Sequence, residues 1–465
     1  MRAIGRRTLL KSAGMGAMGV PLLLSSSAGA GSVAARVLAL PVIPSLRLTV
    51  TDFEAKGDGV TKNTQALQQA LDRCAVLGGG EVVIPSGTFV TGTIYLRSHT
   101  RLRFEAGAVI KGSTDIGDYP IHQARWEGNW VPGHDSLIHA VDAEDIAISG
   151  PGMVMGAVEV GGRPTPDHPF RHPALIEFIN CRNVLLEDFA TQNDKMWNIH
   201  PTYCDNLTIR RLTIRSSTTF SDGIDLDSCR HVKIADCDIA VGDDCIAIKS
   251  GRGMEGFLID RPTEDVEISG CTFADSRHAC VSIGSEVSAG ARRVRVFNCK
   301  FIQAKSHAIF LKSRIGRGSF IEDFEARDLV VENCEQGFMQ IDLLNIGYQD
   351  PAPVPGELGI PRAANIRVSR VHVHNVPRLL DAVNIHPSKP LVGLTLHDIT
   401  GDATQGIFLA NIRDADIARI QLDGLTGPLL NVYNVSGKGL SGAHPIPATI
   451  IPPLVPAPAQ PYRQQ

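Results

Sequence analysis

A short pattern, one polar residue followed by alternating apolar positions, recurs along most of this chain. It reads DIAISG from 145, NVLLED from 183, NLTIRR from 206, HVKIAD from 231, DVEISG from 265, RVRVFN from 293 and NIRVSR from 365. Looser copies are EDFEARDL from 322 and VGLTLHDI from 392, and successive starts lie 23 to 43 residues apart. Alternation of period two marks a short strand. Such a strand cannot bury both faces alone, whereas stacked copies bury a continuous core. Irregular spacing with few helical periods predicts an all-β fold. The expected form is a right-handed, single-stranded parallel β-helix with loops of varied length leaving each coil.

Cysteine placement follows the same phase. Cys181, Cys204 and Cys229 each precede a repeat start by two residues, and Cys237, Cys271 and Cys299 each follow one by six. Equal offsets stack about 4.8 Å apart in successive coils. The ten cysteines therefore read as buried thiols in ladders rather than as a disulfide framework. Upstream, TKNTQALQQALDRC places Ala66, Leu67, Ala70, Leu71 and Cys74 at helical spacing, with Thr61, Asn63 or Thr64 as its cap. A helix there would shield the apolar end of the first coil. The segment from His444 onward is Pro-rich and cannot supply interior strands.

The first thirty residues are not part of this fold. Arg6-Arg7 precede a weakly apolar, Gly-containing run, and Ala28-Gly29-Ala30 offers a small-residue cleavage site. A twin arginine in that setting resembles a Tat export signal. The expected organisation is a signal over 1–30, a linker over 31–45, a catalytic β-helix over 46–443 and a tail over 444–465. The protein is expected to act in the periplasm or outside the cell. Charge is nearly balanced, 45 Lys+Arg against 49 Asp+Glu, which gives no reason to expect a nucleic-acid partner or, after processing, a membrane.

Within AVGDDCIAIKSG, Asp243 and Asp244 interrupt an apolar run. Adjacent carboxylates there repel each other and resist desolvation. Measured from their repeat starts, Asp244 and His278 share one offset, and Asp243 lies one residue earlier. Asp222 and Lys312 lie slightly further along their own coils. These residues should line one side of four consecutive coils. A row of carboxylates with a His and a Lys on a rigid face is the form of an active site. Glycoside hydrolysis needs one protonated carboxyl and one carboxylate, and crowding holds their pKa values apart.

The motifs MWNIHPTYCDNLTI, SDGIDLDSC, GDDCIAIKSG and SIGSE, in that family's order and spacing, resemble glycoside hydrolase family 28, the polygalacturonase family of pectin-degrading β-helices. The opening TDFEAKGDGV and GGGEVVIPSGTF resemble the wider pectin-lyase-like superfamily. The resemblance implies inverting hydrolysis of pectic polysaccharide by a cofactor-free, metal-independent enzyme. It implies Asp243 as general acid, with Asp222 and Asp244 holding and deprotonating water. His278 matches the family's Gly-His-Gly histidine, and Lys312 the lysine of its Arg-x-Lys motif. Phe310 stands where that motif has arginine. Arg314 and Arg317 are nearby candidates to replace the charge, and an altered pectic substrate is the expectation.

Trp126 and Trp130, in a long loop, are candidates to stack on sugar rings. Lys249 either reaches the groove or caps its strand, and Trp197 and His200 read as buttresses. A monomer is expected. Two other readings stay open at this point: a calcium-dependent lyase with the aspartates as ligands, and a β-helix that only binds glycans.

Overall fold

The computed structural model describes residues 38–456, apart from Asp194. The expected export signal lies outside those residues. No helix among them is long and apolar enough to cross a membrane.

The chain winds as a parallel β-helix whose coils contribute to three parallel sheets. The repeated motif forms the first sheet. Its apolar positions pair rung by rung, Ile146 with Val184, Val184 with Leu207, Leu207 with Val232, Val232 with Val266 and Val266 with Val294. All six are buried. The polar residue that opens each repeat has a specific task. Asp145, Asn183, Asn206, His231, Asp265, Arg293 and Asn365 all have φ between 52° and 58° or, for Asn206, 63°. The chain bends there through the left-handed region, which Asp and Asn tolerate best. This also corrects two starts. The left-handed residue of the 322 copy is Asp323, paired through its Oδ1 with Asn365 Nδ2 at 2.9 Å, and that of the 392 copy is Gly393.

All ten cysteines are free and buried. Cys204 Sγ lies 3.4 Å from the Cys181 amide, one rung away. The helix Thr64–Val76 buries Leu67, Ala70, Leu71 and Cys74 against the first coils. Asn63 stands at its N-cap position without capping it. Its side chain instead clasps Lys56, accepting from the amide at 2.7 Å and donating to the carbonyl at 3.0 Å. At the other end, His444–Pro445 pairs with Asn431 and Val432. Ile451 and Val455 then pack on Ile315, Leu344 and Ile360.

The third sheet carries the site. It includes Ile176–Ile179, Ile199–Thr202, Ile224–Asp227, Ile246–Lys249, Ala279–Ile283, His307–Lys312 and Gly337–Asp342, paired in that order. Alternate residues of these strands point outward, into a cleft walled by the loops that enter and leave the sheet.

Candidate active site

Asp222, Asp243 and Asp244 sit on the loops that enter two adjacent strands, Ile224–Asp227 and Ile246–Lys249. The ladder continues through these loops: the Asn198 amide donates to Asp222 O at 2.9 Å, and the Gly223 amide to Asp244 O at 3.0 Å. Stacking therefore brings the three carboxylates together, with an oxygen of each within 4.8 Å of the others. Asp222 and Asp244 are buried at 4% exposure each. They line a cleft of about 580 Å³ with Asp243, Lys249, His278 and Lys312.

Two lysines feed this cluster from the exit ends of strands. Lys249 Nζ lies 2.5 Å from Asp225 Oδ1 and 3.3 Å from Asp222 Oδ2. Lys312 Nζ donates to Asp244 Oδ2 at 2.7 Å, and Ser282 Oγ donates to the same oxygen at 2.8 Å. The other oxygen of Asp244, Oδ1, is buried with no hydrogen-bond partner among the described residues. Asp243 Oδ2 accepts from the Phe220 amide at 3.2 Å and faces His278 Nε2 at 3.7 Å.

Protonation follows from these surroundings. Burial, then the charges of Asp222 and Asp244, push Asp243 up to about 7, against the weaker opposing pull of His278 and Lys312. Burial and Asp225 raise Asp222 well above the usual carboxylate range. Both lysines keep their charge: burial alone would lower each, but the facing aspartates more than reverse it. The constellation thus contains a carboxyl that is half protonated near neutrality, beside two further aspartates that each face an ammonium group.

The other sequence candidates divide. Lys249 reaches the cleft with an 8% exposed side chain. Trp126 also lines it, stacked on Trp197 with ring centroids 5.0 Å apart and planes at 24°. Trp130 does not line it, because its ring packs against Tyr203 and the Arg125 guanidinium. Arg317 presents no charge to a ligand. It is fully buried, bonded to Asp350 Oδ2 at 2.8 Å and to the carbonyls of Ser285 and Tyr348. Arg314 turns to Gln349 Oε1, at 3.0 Å, and the Gly347 carbonyl, and is likewise absent from the cleft lining. Phe310 is 9% exposed on the outward row between Ser282 and Gln340, its ring 5.5 Å from His307.

Sequence reasoning did not single out Glu286 or Arg163, yet both line the cleft. Burial opposes the charge of Glu286, but Lys249, Arg317 and Lys312 overcome it and hold its carboxyl at about 2. The SIGSE motif contained that residue. Arg163 comes from a non-repeating loop, where no periodic signal exists.

The profile of glycosyl hydrolases family 28 matches residues 74–347. A probable polygalacturonase of Vitis vinifera is 30% identical over 376 residues, 76% of this chain and 73% of its own length. An exo-poly-alpha-D-galacturonosidase of Dickeya chrysanthemi is 22% identical over 419 residues, covering 78% of this chain and 65% of that protein. The crystal structure of a hyperthermoactive exopolygalacturonase from Thermotoga maritima superposes with a TM-score of 0.75 at 25% identity, over 83% of this chain and 94% of that one. Matched along more than half its length, with the strands and cleft in the same span, this chain belongs to glycosyl hydrolase family 28 and is a glycosidase.

Proposed function

We propose that the enzyme hydrolyses α-glycosidic bonds of pectic polysaccharide with inversion, Asp243 acting as general acid. The observation that carries this reading is the Asp222–Asp243–Asp244 cluster, in which Asp243 keeps a proton to about pH 7. Asp243 protonates the departing glycosidic oxygen as the bond breaks. Asp222 and Asp244 hold a water and take up its proton as it attacks the opposite face of the anomeric carbon. The buried, unpartnered Oδ1 of Asp244 offers one lone pair for that water.

The carboxyl oxygens lie within 4.8 Å of one another, closer than the roughly 6.5–9.5 Å usual for an inverting pair. One water accepted by two oxygens at about 2.8 Å each spans up to about 5.6 Å, so the tighter cluster still accommodates the nucleophile. Lys312 places an ammonium against Asp244, and Lys249 places one against Asp222. His278, exposed beside Asp243, is placed to contact the sugar and to set the charge around the acid.

The pectic substrate is inferred from the relatives named above together with these cations. Lys312 and Arg163 are the cationic groups best placed for an acidic sugar, and Phe310 leaves a neighbouring position apolar. Calcium ligation is disfavoured because two ammonium groups already occupy the carboxylates' faces. Proton NMR of the first product from polygalacturonate and from rhamnogalacturonan fragments tests the reading. The β-anomer should appear first. A retained anomer would overturn the mechanism, and an ultraviolet-absorbing unsaturated product would replace hydrolysis by elimination.

The same reading extends to the cell. We take residues 1–30 as a Tat signal and the enzyme as a monomer acting beyond the cytoplasm. Replacing Arg6 and Arg7 by Lys should abolish export of a fused reporter; undiminished export would rule this out.

A further inference from the structure

The cleft is walled unequally along the solenoid. Upstream of the aspartates, the antiparallel hairpin formed by Ile121–Trp126 and Asn129–His134 lies over the third sheet. It is anchored from below by Arg125, 1% exposed, whose Nε meets Asp227 Oδ2 at 2.8 Å and whose guanidinium meets Glu255 Oε1 at 2.6 Å. The hairpin's tip places Glu127 at the cleft. One Glu127 oxygen bonds Arg252 at 2.9 Å, and Arg252 also bonds Asp350 on the loop after Gly337–Asp342.

The opposite wall answers it. Arg163, on the loop that enters the strand Ile176–Ile179, pairs with the other Glu127 oxygen at 3.2 Å. Its guanidinium carbon also lies 4.3 Å from the Phe220 ring centroid and 5.9 Å from that of Tyr348. Phe220 belongs to the entering side and Tyr348 to the leaving side of the sheet. Arg163 therefore ties both walls together across the cleft. Beneath it, the stacked pair Trp126 and Trp197 fills the floor one coil upstream of Asp222.

We infer that the Glu127–Arg163 bridge, laid over the Trp126–Trp197 pair, closes the upstream end of the cleft and makes this a chain-end enzyme that releases one sugar at a time. A polymer lying along the sheet cannot continue past this barrier. Only one coil, a rise of about 4.8 Å, separates the tryptophans from Asp222, which leaves room for a single sugar ring on that side. Downstream the cleft continues past His278 and Lys312 on the next two coils, and the rest of the chain leaves by that route. The inference rests on the pectic hydrolase reading and adds which bond along the polymer is cut.

Product analysis on polygalacturonate and rhamnogalacturonan tests both levels. Wild-type enzyme should yield monosaccharide from the earliest time points, with viscosity falling only as mass is lost. The double variant Glu127→Ala/Arg163→Ala should add longer products and thin the polymer faster per bond broken. Its circular dichroism spectrum should stay that of wild type and certify the fold. Mixed oligomers and rapid thinning from wild type would overturn the inference while leaving the hydrolase reading intact. Monosaccharide alone from a double variant that keeps the wild-type circular dichroism spectrum would remove the bridge from the explanation. No reducing ends from any pectic glycan would overturn the hydrolase reading and this inference with it.

Discussion

Glu177 lies on the third sheet and Asp222 on the loop entering it two coils further on; both are buried, yet their carboxyls are driven in opposite directions. Burial opposes charge at both. At Glu177 it is overruled by Arg171, which grips both oxygens at 2.9 and 3.0 Å, and by His200 at 2.9 Å, so the carboxyl sits at about 2. At Asp222 burial prevails, reinforced by Asp225 and Asp244, and the single ammonium of Lys249 is shared with Asp225. Depth is the same in the two places; the partner differs. A forked guanidinium fixes a permanent charge. A shared ammonium among crowded carboxylates leaves a proton in play.

The sharpest way to break this comparison is to remove the fork. Arg171→Met should cost about 3–5 kcal/mol in denaturant unfolding, because it leaves Glu177 buried and unpaired. A cost below about 1 kcal/mol would mean that Glu177 does not depend on its fork. Asp243→Asn comes next. Its kcat should fall at least about 10²-fold, as for loss of a general acid, while its circular dichroism spectrum stays that of wild type.

The pH dependence of stability should separate the two regions by sign. Asp243 is raised from 3.8 to about 7, so its protonated form stabilises the fold below 3.8 and that contribution is lost as pH rises through about 7. Asp243→Asn should therefore melt above wild type at pH 8, with the gap closing toward pH 4. Glu177 is lowered from 4.5 to about 2, so its contribution holds above 4.5 and is lost as pH falls through about 2. For activity, kcat/KM should decline above about pH 7 as Asp243 loses its proton. The smallest effect expected is from chelation: EDTA should leave the rate unchanged, and activity restored only by calcium would return the aspartates to the role of metal ligands.

The strands and thiol ladders were legible because each coil repeats the same task. An αL bend favours Asp or Asn, and the following rung needs apolar residues at alternate positions. The aspartates could be placed for the same reason, since phase alone put Asp222, Asp243, Asp244 and His278 on neighbouring coils. Charge replacement was not legible. Arg317 is five residues from Lys312 in sequence, but the turn between them carries it beneath the Tyr348 loop, where it braces Asp350. Arg163 reaches the site from a loop of unrepeated length, and only the fold brings it to Glu127. The Trp126–Trp197 stack joins residues 71 positions apart in the chain for the same reason.

The buried thiols turn the solenoid into its own measuring stick. They run from Cys74 in the capping helix, through Cys181, Cys204 and Cys229, to Cys334 well along the axis, and none is exposed in the folded chain. Coils contact chiefly their neighbours, so unravelling advances as a front rather than everywhere at once. Each thiol becomes reactive only when that front passes it. The order in which an alkylating reagent marks the ten positions is thus a record of which end of the helix opens first and where the opening halts.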